Sequence, residues 1–205
     1  MSRILLPALG PAAASLLLAA CAASPTPLAS DPTGFALYRS GQLSTAEIAA
    51  LCRLGIEELV VLDGGAGERE CAMRGRICPD LRVRYDTAQD AHQPVTAEFL
   101  AAFDAWIEEA RAAGRKIAFR CRHGWHRAGR LAAWYRMRFE GASAAEAVVE
   151  MQRVGRFMYR HPQLVPQVQA MADLLAGRPC VAAEHCVAGD GWPDETAAFE
   201  ADVCP

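Results

Sequence analysis

Seven residues, Cys121-Arg122-His123-Gly124-Trp125-His126-Arg127, join an apolar run from Lys116 to Arg120 to an amphipathic stretch from Ala128 to Phe139. The run reads as a short strand. The stretch reads as a helix, with Leu131, Trp134 and Tyr135 on one face. A strand that passes into a helix through so short a loop belongs to an α/β layer fold, in which the helix packs back on the sheet. The loop also carries chemistry. Backbone N–H groups at a helix N-terminus form a nest for an anion and favour the thiolate form of a cysteine placed there. Gly124 permits a backbone conformation closed to other residues. The planar fork of Arg127 can grip two oxygens of a phosphate and stabilise charge that develops in a transition state.

The rest of the chain agrees with α/β. Strands are expected over Phe35 to Tyr38, Glu58 to Leu62 and Leu81 to Tyr85. Ser44 with Glu47 and Ser143 with Glu146 make capping boxes that start helices. Thr96 caps another helix through about Ala113, with Phe99, Leu100, Phe103 and Trp106 at helical spacing. Gly55 and Gly114 stop helices, and residues 64 to 67 are a glycine-rich loop. A last helix is expected over His161 to Leu175, with loop-like chain beyond it. The expectation is a short, mostly parallel central sheet flanked by helices, in one domain over residues 34–177. Trp106, Trp134 and Tyr135 belong to its core, and His161 reads as a capping residue.

The first twenty residues differ from this pattern. Arg3 is followed by an almost wholly apolar run to Ala20, broken by Pro7, Gly10 and Pro11. That is the pattern of an export signal rather than a spanning helix. Leu18-Ala19-Ala20-Cys21 resembles a bacterial lipoprotein box, in which the chain is cut before the cysteine and the cysteine is lipidated. Each buried acyl methylene contributes about 0.8 kcal/mol to membrane attachment. Ala22 at the next position favours the outer membrane over inner-membrane retention. Residues 21–33, rich in Ala, Ser, Pro and Thr, are expected to be a tether.

With Cys21 given to lipid and Cys121 to chemistry, six cysteines remain: Cys52, Cys71, Cys78, Cys180, Cys186 and Cys204. In an exported protein that even number suits up to three disulfides, with Cys71–Cys78 the simplest local pair. The three in residues 178–205 are expected to pin that tail. No Cys-x-x-Cys pair points to zinc. Residues 111–160 carry twelve basic side chains against Glu140, Glu146 and Glu150, in a chain of net charge −3. Such a bipolar molecule can focus an anionic substrate on one face.

The Cys121–Arg127 segment resembles the signature loop of the protein tyrosine and dual-specificity phosphatases. Tyr38-Arg39-Ser40-Gly41-Gln42, with the helix and the Glu58 to Leu62 strand that follow, is similar to the start of bacterial members. The resemblance spans roughly Phe35 to Leu175. It implies hydrolysis of a phosphomonoester through a phosphocysteine on Cys121, with Arg127 and the loop N–H groups binding phosphate and no metal or cofactor. Arg122, His123, Gly124, Trp125 and His126 are the expected substrate-binding residues. The implied substrate is a phosphorylated protein, lipid or small molecule, not a nucleic acid.

Two positions depart from the family. Arg120 stands where His is usual before the cysteine, and can favour the thiolate if it points toward the loop. Ala128 stands where Ser or Thr is usual after the arginine, which removes a hydroxyl that helps the sulfur leave. A phosphate-binding protein with poor turnover is therefore the alternative, and a rhodanese-like sulfurtransferase a more distant one. The leaving oxygen needs an acid. Asp90, 31 residues before Cys121 and followed by Pro94, matches the family's acid loop. Asp86 is the second candidate, and His126, before the arginine, the third. Asp63 reads as a strand-end residue.

Overall fold

The computed structural model describes residues 24–187 and 199–204. The export-signal segment, Cys21 and part of the C-terminal tail lie outside the described residues. Five strands, β1 (Thr26–Ser30), β2 (Ala36–Ser40), β3 (Ile56–Val61), β4 (Arg82–Asp86) and β5 (Lys116–Arg120), form one sheet in the order β1-β2-β5-β3-β4. β2, β5, β3 and β4 run parallel, and β1 is antiparallel to β2 at one edge. The helices are α1 (Thr45–Leu54), α2 (Ala72–Ile77), α3 (Ala97–Ala112), α4 (Arg127–Glu140), α5 (Ala144–Val154) and α6 (Leu164–Leu175).

The strands bury both faces, as parallel sheets covered by helices do. Ile117 and Phe119 of β5, with Val60 and Leu62, face α3, α4 and α6. Ala118, Leu59, Val61 and Val83 face α1 and α2. This alternation follows from the two-residue side-chain period of a strand. Trp106, Trp134 and Tyr135 are core residues. Trp106 donates from Nε1 to Glu58 at 2.6 Å, and Trp134 to Asp104 at 2.6 Å.

Local signals set the helix ends. Both capping boxes are formed, at Ser44 with Glu47 and at Ser143 with Glu146. Thr96 accepts from the N–H of Phe99. Gly55 ends α1 at φ 73°, in the left-handed region that glycine enters without penalty.

Four features differ from the sequence expectation. The segment expected to be a tether supplies β1, which tolerates Pro27 because it is an edge strand with an irregular register there. The chain after the glycine-rich loop forms a π-helical turn, Gly67–Cys71, that runs into α2. The last helix begins at Leu164 rather than His161, after a 3-10 turn at Met158–Arg160. The disulfides are Cys52–Cys78, Cys71–Cys204 and Cys180–Cys186, so the local pair Cys71–Cys78 is not made. Cys71 instead holds the returning end of the chain, where Val203 N–H donates to Val83 at 2.7 Å.

Candidate active site

β5 is the central strand, and its C-terminal end opens on the edge of the parallel sheet where α/β folds bind ligands. Cys121 sits there, buried, and is the one free cysteine among the described residues. The loop is fastened at both sides. Gln42 N–H donates to Arg122 at 3.0 Å, and Leu62 N–H to Arg120 at 2.8 Å. Gly124 adopts φ 73°, and a Cβ there would lie 2.9 Å from backbone atoms of Ser40 and Gly41. Conformation and space both demand glycine. α4 begins at Arg127, so its N-terminal N–H groups and positive dipole end meet the loop.

The Arg127 guanidinium is held by Nη1, which donates to the carbonyls of Leu62 at 3.1 Å and Gln89 at 2.9 Å. This fixes the plane of the fork with one nitrogen and ties it to the 89–93 loop. That loop is itself anchored. Arg130, buried on α4, donates to Gln93 O and to Gln167 Oε1, each at 2.6 Å, and to Gln89 Oε1 at 3.4 Å. Gln163 and Gln167 donate to Ala91 O at 3.2 and 3.4 Å.

Cys121, Arg127 and Asp90 line one cavity of about 320 Å³, together with Gln89, Ala91, His92, Arg122, His123, His126 and His161. Of the residues singled out in the sequence, Gly124 and Trp125 line a different cavity. Four of the chain's five histidines border the Cys121 cavity. Among the described residues, no group of three or more His, Cys, Asp or Glu is arranged to hold a metal ion.

Asp90 is exposed, and Oδ1 accepts from the His92 N–H at 2.8 Å and meets His92 Nδ1 at 3.0 Å. The backbone N–H of His92, outweighing burial, holds the Asp90 carboxyl below its ordinary range. Asp86 accepts from Ala66 N–H at 2.9 Å and does not line the cavity; burial raises its pKa. His126 Nε2 donates to Arg156 O at 3.0 Å, and its ring lies 3.9 Å from that of His161. Burial pushes the His126 pKa down, and it does the same to His161.

Arg120 does not face the loop. It is fully buried, with Nη2 donating to Glu70 Oε2 at 2.8 Å, Nε meeting Glu70 Oε1, and Nη1 paired with Asp63. Two carboxylates take up its charge, so the expected help to the thiolate does not come from this side chain. Asp63 is a strand-end residue as expected, with a structural partner.

Spacing pointed to the Cys121 loop, but nothing in the sequence marked Arg130, Gln163 or Gln167 as anchors of the 89–93 loop. His161, expected to be a cap, lines the cavity, and His92 does so unannounced. The one available signal was a cluster of hydrogen-bonding side chains in α6, which reads as an ordinary polar helix face.

No protein-family model matches the sequence, and neither does any curated protein. Solved structures do match. The chain is 25% identical to P. aeruginosa TpbA, with TM-score 0.55, over 73% of this chain and 96% of that one. A complex of a TpbA variant with pTyr aligns at TM-score 0.56 and 23% identity, over 75% of this chain and 96% of that one. Tk-PTP in its active form aligns at 0.53 and 20%, over 71% and 96% respectively. The five-stranded, mostly parallel sheet, the helices around it and the strand–loop–helix at Cys121 are the fold of the tyrosine and dual-specificity phosphatases.

Proposed function

We propose that the chain is a cysteine-dependent phosphatase that hydrolyses phosphomonoesters on Cys121. The observation that carries this reading is the Cys121–Arg127 loop at the end of β5, with Gly124 at φ 73° and the Arg127 fork fixed by two carbonyls above it. The phosphoryl group docks on the loop N–H groups and on the remaining donors of Arg127. The Cys121 thiolate attacks phosphorus, the phosphorus–oxygen ester bond breaks, and Asp90 gives a proton to the departing oxygen. Water then attacks the phosphocysteine, Asp90 takes its proton, and the sulfur–phosphorus bond breaks to release phosphate. Arg122 provides positive charge at the mouth, where His123 and His126 also stand. The pTyr complex of the TpbA variant supports a phosphorylated substrate for this chain too.

The test is hydrolysis of p-nitrophenyl phosphate, inhibited by vanadate and lost in Cys121→Ser. A vanadate-insensitive activity, or one that survives the substitution, sinks the assignment. One observation favours slow turnover. Ala128, fully buried at the start of α4, offers no hydroxyl to the leaving sulfur. Ala128→Ser is expected to remove a burst of p-nitrophenol and raise the steady-state rate, whereas an unchanged time course discards this account of the alanine.

We also propose export and lipid attachment at Cys21. The apolar start, the Leu18-Ala19-Ala20-Cys21 run and three disulfides, which persist in oxidising compartments, support this. Labelling with a fatty acid that is lost in Cys21→Ser is the expected result, and unlabelled protein refutes it.

A further inference from the structure

Outside the Cys121 cavity, the strongest anomaly is Arg39 on β2. It is 7% exposed, yet among the described residues its guanidinium makes no hydrogen bond or ion pair. Buried charge without an acceptor is costly and needs an explanation. Glu150 and Cys121 both act on its charge, and Glu150 is engaged by Arg136, which donates from Nε at 3.0 Å and Nη2 at 3.4 Å. Burial pushes the Arg39 pKa down from its ordinary value.

Arg39 lines a cavity of about 200 Å³, which Thr26, Ser40, Gly124, Trp125, Val154 and Arg156 also border. Thr26 reaches it because β1 pairs with β2 in the register Thr26 opposite Arg39. Arg156 is exposed, with its guanidinium 5.7 Å from the centre of the Trp125 ring. No carboxylate lines the cavity. Two guanidinium forks, with no acidic competitor, make a donor set for a tetrahedral oxyanion.

We propose that this groove is a second phosphate-binding site, on the outer side of the signature loop, in which Arg39 and Arg156 hold one phosphoryl or phosphate group. The site goes beyond the phosphatase reading, because a chain with no hydrolytic activity would still bind an anion there. Gly124 and Trp125 belong to the signature loop itself, so an anion in this groove touches the loop that carries Cys121. The bound group is inorganic phosphate or the phosphoryl group of an ester.

The experiment removes the first site and asks for the second. Arg127→Ala takes away the clamp over Cys121, and its full-length protein is titrated calorimetrically with inorganic phosphate and with phenyl phosphate in chloride buffer. We expect one anion bound per chain. Adding Arg156→Ala should weaken it by about tenfold or more, as expected from losing one charge-assisted hydrogen bond. Arg39→Gln in the same background should do likewise. Because it removes an unpaired buried charge, it should unfold no earlier than its parent in phosphate-free buffer. Phosphate binding alone assigns the groove to the free anion, and equal binding of phenyl phosphate assigns it to esters. No binding in Arg127→Ala, or affinity unmoved by Arg156→Ala, overturns the proposal. The exposed position of Arg156 keeps that second arm valid should Arg39→Gln misfold.

Discussion

Replacing Glu70 with Gln is expected to cost the fold about 3 kcal/mol, although the new side chain has nearly the same shape. Glu70 and Arg120 both have fully buried side chains, and the carboxylate meets the guanidinium through two nitrogens. Breaking a buried pair costs about 3–5 kcal/mol, because the surviving charge stays out of water without its partner. Asp63, 8% exposed at its side chain, still faces Nη1 of Arg120, so the lower end of that range applies. For a domain of this size, about 3 kcal/mol lowers the melting temperature by roughly 6–12 °C. Urea denaturation of the oxidised protein measures the loss. Arg120→Met with Glu70→Leu and Asp63→Asn removes all three charges and leaves apolar volume, so the triple variant should lie well above the sum of the single losses. A Glu70→Gln protein within about 1 kcal/mol of the parent would refute the reasoning. So would a triple variant whose loss is additive.

Other outcomes follow from single features of the site. Gly124→Ala combines φ 73° with a Cβ 2.9 Å from three backbone atoms, so it should lose more than about 1 kcal/mol of stability and most of kcat/KM, read by urea melts and p-nitrophenyl phosphate hydrolysis. His92→Ala removes the side-chain hydrogen bond and charge that help depress Asp90. The Asp90 pKa should rise, so the proton donor survives to higher pH and the alkaline limb of kcat/KM moves up; a limb that stays put takes the acid role from Asp90. The backbone N–H of His92 remains, so the shift is partial. Cys204→Ser opens the Cys71–Cys204 link, which spans 133 residues, and loop-closure entropy puts the loss at up to about 5 kcal/mol. An unchanged denaturation midpoint would remove that link from the stability account.

The sequence disclosed the parts of the fold that local chemistry decides. Ser44 with Glu47, Ser143 with Glu146, Thr96 and Gly55 mark helix ends because their groups bond within a few residues. The Cys121 loop was legible for the same reason, since spacing, a glycine and a following helix lie in one short stretch. Features that depend on distant partners were hidden. β1 exists because β2 offers it an edge, and its own residues read as a tether. The direction of Arg120 is set by Glu70, fifty residues away, whose buried position no periodicity announced. Disulfide pairing failed for a like reason. Cys71 lies close to Cys78 in sequence, but the π-helical turn and α2 send the two toward different partners. The anchoring of the 89–93 loop by Arg130 and Gln167 is likewise a contact between α4, α6 and a loop that only the folded chain brings together.

The central claim is that phosphate passes through a covalent bond to the Cys121 sulfur. Mixing the protein with excess p-nitrophenyl phosphate, quenching in acid within the first turnover and mapping the modified peptide by mass spectrometry tests it directly. The account predicts one phosphoryl group on Cys121, absent in Cys121→Ser and long-lived because Ala128 supplies no hydroxyl. Turnover without phosphocysteine, or a phosphoryl group on His123 or His126 instead, would contradict it.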